Sequence, residues 1–177
     1  MSEQTKYEGI YGSKSDFPSY GHSNHGRYAL DLLDILKPKS LLDVGCGYNE
    51  FVHEAKKRQP HIRAVGMDFA CPGADLIGDA CSIPFQDKNF DLITSFDVLE
   101  HLRTEQVNIA LAEMARVSCQ FLLSICYCDS HYRWQGSTLH PTVQPESWWI
   151  DRLLQAGATA IETHALKARY IMGQWAA

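Results

Sequence analysis

The 177-residue chain has no apolar run near the roughly 20 residues that cross a bilayer, so no helical membrane span is expected. Its opening segment, MSEQTKYEGIYGSKSD, is polar and lacks the apolar stretch of a secretory signal, which points to a cytoplasmic protein. Positive charge is scarce: 16 Lys and Arg stand against 21 Asp and Glu, a net −5. Non-specific nucleic-acid binding needs clustered cations over phosphates, so nucleic acid is not the expected partner, although shape-specific RNA recognition is not excluded. The six cysteines form no Cys-x-x-Cys pair, which leaves a zinc ribbon without support. Several lie in or beside apolar runs, where a free Cys behaves as a small core residue. No internal repeat, low-complexity tract or linker divides the chain, and 45% hydrophobic content fits one core.

What is present centres on LLDVGCGYNEF, Leu41 to Phe51. Leu41 to Val44 is a short apolar strand with Asp43 near its end. Gly45, Cys46, Gly47, Tyr48 and Asn49 make a turn, and helical periodicity follows from Glu50. Glycines let the backbone approach a ligand, and a helix N-terminus offers free N–H groups. The pattern is Asp-x-Gly-x-Gly, not the Gly-x-Gly-x-x-Gly of a dinucleotide site, which counts against an NAD-dependent oxidoreductase.

Residues 1–25 hold Tyr7, Tyr11, Phe17, Tyr20, His22 and His25 among glycines and serines. They read as an irregular N-terminal arm that docks its aromatics, closes over a site as a lid, or does both. Residues 26–177 form the main domain. A helix runs from Gly26 to before Pro38, with Tyr28, Leu32, Ile35 and Leu36 on one face and an Arg27–Asp31 pair on another. The helix after the glycine turn ends in Lys56, Lys57 and Arg58, cations that suit a helix C-terminus. Strands are expected at Ile62–Met67, Ala74–Ile77, Phe90–Phe96 and Phe121–Ile125. Cys71-Pro72-Gly73 disfavours a helix after the Ile62–Met67 strand. Thr104 is a candidate N-cap for a helix carrying Val107, Leu111, Met114 and Val117 inward. Tyr127 to Pro145 reads as a long irregular loop. Pro145 is placed at N1 of a helix closed by Gly157. Adjacent Trp148 and Trp149 cannot both face the core. Ala158–Leu166 and Arg169–Trp175 are joined by so short a link that they must form an antiparallel hairpin.

Taken together, these segments resemble the class I S-adenosylmethionine-dependent methyltransferases, and among them the small type 11 enzymes. The resemblance covers about Gly26 to Trp175. It implies an α/β, Rossmann-like seven-stranded sheet in order 3-2-1-4-5-7-6, strand 7 antiparallel, with helices on both faces. It also implies S-adenosyl-L-methionine as cofactor and methyl transfer as the reaction. By the same resemblance Asp43, Gly45, Cys46, Gly47 and Asn49 would hold the amino-acid portion of the cofactor. Asp68 would take the ribose, Asp79 and Ala80 the adenine, and Phe69 and Phe96 would pack on the nucleoside. Asn49 stands where the family has a third glycine, and Asn tolerates left-handed backbone.

His101 and Glu100 are the candidate catalytic residues, placed to take a proton from a hydroxyl or amine acceptor. Asp97, Glu100 and His101 also resemble a metal-binding arrangement of some small-RNA and quinone O-methyltransferases. There the first position is Glu and here it is the shorter Asp, so no metal is expected. A zinc set of Cys126, Cys128, His131 and His140 lacks suitable spacing. In the 127–145 loop His131, Arg133 and His140 are candidate substrate contacts. The expected acceptor is an O or N atom of a small molecule or glycan. The alternative is a catalytically silent module of the same fold that binds the cofactor or a partner. Oligomeric state is left open.

Overall fold

The structure, a computed structural model, describes residues 3–22 and 24–176, Asn24 by its backbone alone. Helices α1 (Glu3–Gly12) and α2 (Asn24–Leu36) precede β1 (Ser40–Val44), α3 (Glu50–Arg58), β2 (Arg63–Asp68) and β3 (Leu76–Ile77). Then come β4 (Phe90–Phe96), a 3-10 turn (Leu99–His101), α4 (Thr104–Val117) and β5 (Ser118–Ser124). A small ribbon of β6 (Arg133–Trp134) and β7 (Ser137–Thr138) is followed by α5 (Glu146–Gln155), β8 (Ala158–Ala165) and β9 (Arg169–Trp175).

Seven strands make one sheet in the order β3-β2-β1-β4-β5-β9-β8. Strands β1 to β5 pair in parallel, and β9 runs antiparallel between β5 and β8. With the ribbon set aside this is the expected 3-2-1-4-5-7-6 sheet. The antiparallel ending follows from chain length: residues 166–168, closed by the Leu166 N–H donating to the Ala168 carbonyl at 2.9 Å, cannot make a crossover.

Both faces are covered. Leu42, Phe121 and Leu123 point to the α4 and α5 side, where Leu111, Met114, Trp149 and Leu153 pack. Leu41 and Leu122 point the other way, onto Leu33 of α2 and Val52 of α3. This alternation along strands buried on both faces is why β1 and β5 read as continuous apolar runs. Trp149 is fully buried, while Trp148 lies half-buried under the Arg152 guanidinium, 4.8 Å from its ring centre.

Several local expectations are corrected. The arm is not irregular throughout, since 3–12 is helical, but only Ile10 of that helix is fully buried, so apolar periodicity was faint. Asp31 pairs not with Arg27 but with Arg58, whose Nη2 lies 2.9 Å from Asp31 and 2.5 Å from Asp34. The N-cap of α4 is Arg103, whose N–H donates to Gln106 Oε1 at 3.2 Å, while Thr104 Oγ1 lies 3.3 Å from Thr142 Oγ1. Pro145 is the residue before α5, not its first. Strand β5 begins at Ser118, directly at the end of α4, and the 127–145 segment carries the β6–β7 ribbon. No helix connects β2 to β3. Asp68 Oδ1 accepts from the N–H groups of Ala70 and Cys71 at 2.9 and 2.8 Å, closing a turn that replaces it.

Candidate active site

The carboxyl ends of β1, β2 and β4 open on one cavity of about 340 Å³. Gly45 and Cys46 line it from the turn after β1. Gly45 has φ +76°, and a Cβ there would lie 2.2 Å from Val98 Cγ2, so the backbone can take this path only as glycine. Asp68 and Phe69 enter from the end of β2, Asp79 and Ala80 from the turn after β3, and Phe96 from the end of β4. Phe96 is held edge-on by Phe51 and Tyr170 at 4.8 and 6.3 Å between ring centres. Asp79 Oδ1 accepts the Cys81 N–H at 2.8 Å, which fixes the turn that presents its carboxyl.

Asp43, Gly47 and Asn49 stand behind this wall and shape it. Asp43 is buried, and Thr94 Oγ1 donates to it at 2.6 Å. Burial pushes the Asp43 carboxyl up to about 7. The Gly47 N–H donates to Asp68 Oδ2 at 3.0 Å, which ties the glycine turn to the end of β2. Asn49 has φ +66°, the left-handed backbone that Asn tolerates, and its side chain packs over Gly66 of β2.

Over the cavity lies the N-terminal arm. Ile10 and Phe17 are buried with Leu139 in a small cluster of their own, against Tyr7, Tyr20, Tyr132 and Trp134. The Tyr48 N–H donates to the Gly21 carbonyl at 3.1 Å, fastening the arm to the glycine turn. Tyr7, Tyr11, Tyr20 and Tyr132 thereby line the cavity. Tyr11 Oη donates to Asp68 Oδ2 at 3.1 Å. Burial raises the proton affinity of the Tyr7, Tyr11 and Tyr20 hydroxyls, which stay protonated donors.

His101, Leu102, Ser130, Tyr132 and His140 also line the cavity. His101 Nδ1 lies 3.4 Å from Tyr7 Oη, and its ring meets His140 edge to face at 4.7 Å. Burial, then the neighbouring His140 and Lys6, push the His101 imidazole down to about 3. Glu100 is buried behind His101, and burial with the charge of Asp97 pushes it up to about 8. Of the three loop candidates only His140 lines the cavity; Arg133 turns away to pair with Asp129. Asp97, at φ +57°, is engaged by His25 Nδ1 at 2.6 Å.

Tyr7 and Tyr11 are spaced by one helical turn, the one feature of the arm's sequence that sets both on the same face of α1. No signal in the sequence marked the meeting of His140 with His101.

Residues 42–120 match a family model described as "Methyltransferase domain". That stretch, from β1 into β5, resembles the class I S-adenosylmethionine-dependent methyltransferases. The cofactor of this family is S-adenosyl-L-methionine, and the cavity suits it: the Gly45 backbone, the carboxylates of Asp68, Asp79 and Asp97 and the rings of Phe69 and Phe96 line its walls. The chain is 30% identical over 126 residues, 65% of its length, to a human protein described as "Probable tRNA methyltransferase 9B". It is 32% identical over 98 residues, 46% of its length, to ajmaline N-methyltransferase of Rauvolfia serpentina. It spans only 27% and 33% of these two relatives. Among solved structures, the 1,6-didemethyltoxoflavin-N1-methyltransferase of Burkholderia thailandensis, with S-adenosylhomocysteine bound, superimposes with a TM-score of 0.72. That match covers all of this chain and 92% of the other at 14% identity, a likeness of fold. No helix among the described residues is long and apolar enough to cross a membrane.

Proposed function

We propose that this methyltransferase moves a methyl group from S-adenosylmethionine to an O or N atom of a small molecule or glycan held under the N-terminal arm. The observation that carries the reading is the roof: Tyr7, Tyr11, Tyr20 and Tyr132 close a cavity of about 340 Å³ that also receives Gly45, Asp68 and Asp79. With the cofactor occupying part of this cavity, the aromatic roof suits a compact acceptor better than a polymer. Similarity to ajmaline and didemethyltoxoflavin methyltransferases agrees with this.

The cofactor supplies an electrophilic methyl on its sulfonium sulfur. Gly45 and Cys46 provide a close backbone surface for the amino-acid portion, while Asp68 and Asp79 accept from ribose and adenine donors. Phe69 and Phe96 flank the nucleoside. The arm acts as a lid that excludes water, and alignment of donor and acceptor supplies most of the rate enhancement. His101 and Glu100 stand at the acceptor end, where the imidazole orients the nucleophilic atom.

A silent cofactor- or partner-binding module is the second reading, favoured by Tyr11 already occupying Asp68 Oδ2. Calorimetric titration with S-adenosylmethionine, S-adenosylhomocysteine and NAD in parallel comes first, followed by transfer assays on hydroxyl and amine metabolites, glycans and tRNA. Binding of the first two with transfer to a small acceptor supports the proposal. Binding without transfer to any acceptor favours the silent module, transfer to tRNA alone overturns the acceptor class, and NAD binding alone overturns the cofactor assignment.

A further inference from the structure

Two cysteines meet where the chain leaves β5. Cys126 and Cys128 are separated by one residue, and their Sγ atoms lie 3.0 Å apart. A disulfide bond is about 2.05 Å long, so an approach of about 1 Å would join them. Sheet pairing of β5 with β4 ends at Ser124, and the chain is irregular from there to β6. Rotation within 126–128 can therefore bring the sulfurs together without breaking the ladder. The two thiols differ in exposure: Cys128 is exposed and Cys126 is half-buried. Burial, then the contact with the Cys128 thiol, pushes the Cys126 thiol up to about 12. A dissolved oxidant thus reaches Cys128 first, with Cys126 beside it still carrying its proton. An accessible cysteine with a resolving partner alongside is the arrangement that oxidants convert to a disulfide.

The same three residues are anchored to the cavity wall. The Cys126 N–H donates to Oε1 of Glu100, the neighbour of His101, at 3.0 Å. The Cys128 carbonyl accepts from His140 Nδ1 at 2.8 Å. His101 and His140 both line the cavity, with ring centres 4.7 Å apart. Beyond His140 the loop is fastened again: the Thr142 N–H donates to the Glu100 carbonyl at 3.3 Å, and Thr142 Oγ1 donates to the Leu102 carbonyl at 2.7 Å. Residues 126–128 cannot turn as a free loop would. Of their two anchors, Glu100 is fully buried and His140 is not, so a twist that draws the sulfurs together is taken up at His140.

We propose that Cys126 and Cys128 form a redox modification site, a dithiol that a hydroperoxide closes reversibly into an internal disulfide, and that closure displaces His140 from the cavity wall. The Cys128 thiolate attacks one peroxide oxygen, the O–O bond breaks, and hydroxide leaves, so that Cys128 carries a sulfenic acid. The Cys126 sulfur then attacks the Cys128 sulfur, the S–O bond breaks, and the Cys126 proton departs with the hydroxyl as water. Two thiols lose two electrons in all, and one hydrogen peroxide is reduced to two waters. An exposed disulfide is of the labile kind, so a thiol reductant reopens it. Any effect on methyl transfer rests on the functional reading above; the disulfide itself does not.

The full chain, reduced and then freed of reductant, is treated with a few equivalents of hydrogen peroxide, blocked with N-ethylmaleimide and mapped by mass spectrometry. Loss of about two of the six thiols is expected, with Cys126 and Cys128 unblocked in one chain whose peptide is lighter by two hydrogens, and full recovery in dithiothreitol. Cys119→Ser, which removes the exposed cysteine of β5, should behave as the parent does. Cys126→Ser and Cys128→Ser keep both backbone anchors, should fold, and should form no internal disulfide. Oxidation should shift the His140 imidazole signals in NMR spectra of the parent but not of Cys128→Ser. S-adenosylhomocysteine affinity should stay the same, while transfer to an accepted substrate slows by about tenfold or more, as misplacement by ~1 Å near a reacting centre can. Blocked Cys126 and Cys128, or only intermolecular disulfides, overturn the proposal, and an internal disulfide that leaves the His140 signals unmoved overturns its link to the cavity. An internal disulfide in a chain that fails to bind S-adenosylhomocysteine supports the redox site and instead defeats the functional reading above.

Discussion

Tyr11 and Asp68 are 57 positions apart, yet the Tyr11 hydroxyl donates to Asp68 Oδ2 at 3.1 Å across the mouth of the cofactor cavity. The same oxygen accepts the Gly47 N–H at 3.0 Å, so one carboxylate joins the arm, the glycine turn and the end of β2. A ribose hydroxyl arriving at Asp68 must therefore share or displace the tyrosine. Tyr11→Phe should leave the fold intact and tighten S-adenosylhomocysteine binding by roughly three- to tenfold, the worth of one hydrogen bond. Weaker binding in calorimetry would show that Tyr11 supports the cofactor instead of competing with it.

Asp68→Ala acts on more than the cofactor, because Gly47, Ala70, Cys71 and Tyr11 all lose their acceptor. Stability should fall by about 1–3 kcal/mol in urea unfolding, with S-adenosylhomocysteine affinity lower by at least tenfold. A folded variant with parental affinity would remove the ribose assignment.

Gly45→Ala meets two obstacles at once, the φ of +76° and a Cβ 2.2 Å from Val98 Cγ2. A loss of about 1–3 kcal/mol and weakened cofactor binding are expected. Adding Val98→Ala should restore part of the stability, since it relieves the collision but not the backbone strain. No difference between the single and double variants in thermal unfolding would mean that the collision is already relaxed by movement of the turn.

Asp43 gives a pH signature. Its carboxyl sits near 7 in the fold because burial disfavours the charge, against about 3.9 in an unfolded chain. A raised pKa means that the unfolded state releases the proton first, so stability is highest below pH about 4 and falls as pH rises through about 7. Asp43→Asn keeps an amide oxygen for the Thr94 hydroxyl and abolishes this contribution. Urea midpoints measured from pH 4 to 8 should fall less steeply in the variant, and parallel curves would show that Asp43 ionises as easily folded as unfolded.

The adjacent tryptophans separate by depth. Trp149→Ala empties a fully buried site on the α4 and α5 side and should cost about 3–5 kcal/mol. Trp148→Ala removes a half-buried ring stacked with Arg152 and should cost under about 1.5 kcal/mol. Equal losses in chemical denaturation would contradict this division.

The parts of this protein that local chemistry dictates were readable in order along the chain. A continuous apolar strand followed by glycines at positive φ has few ways to fold, so β1, its turn and α3 could be placed from LLDVGCGYNEF alone. Asp68 was singled out by its place after the second strand, and Asp79 by the resemblance of Gly78-Asp79-Ala80 to a segment of the methyltransferase family. A connection as short as 166–168 permits only a hairpin, which fixed the antiparallel end of the sheet. What could not be read depends on contacts between distant segments. Tyr7 reaches His101 across 94 positions, and His140 reaches the same ring through a loop whose path is set by Thr142 bonding to the 3-10 turn. Loop closure over such lengths leaves no periodicity behind, because no residue on either side is repeated or spaced to announce its partner. The sheet and the cofactor wall are thus a matter of local sequence pattern, whereas the roof and the Glu100–His101–His140 cluster exist only because packing of the whole chain brings them together.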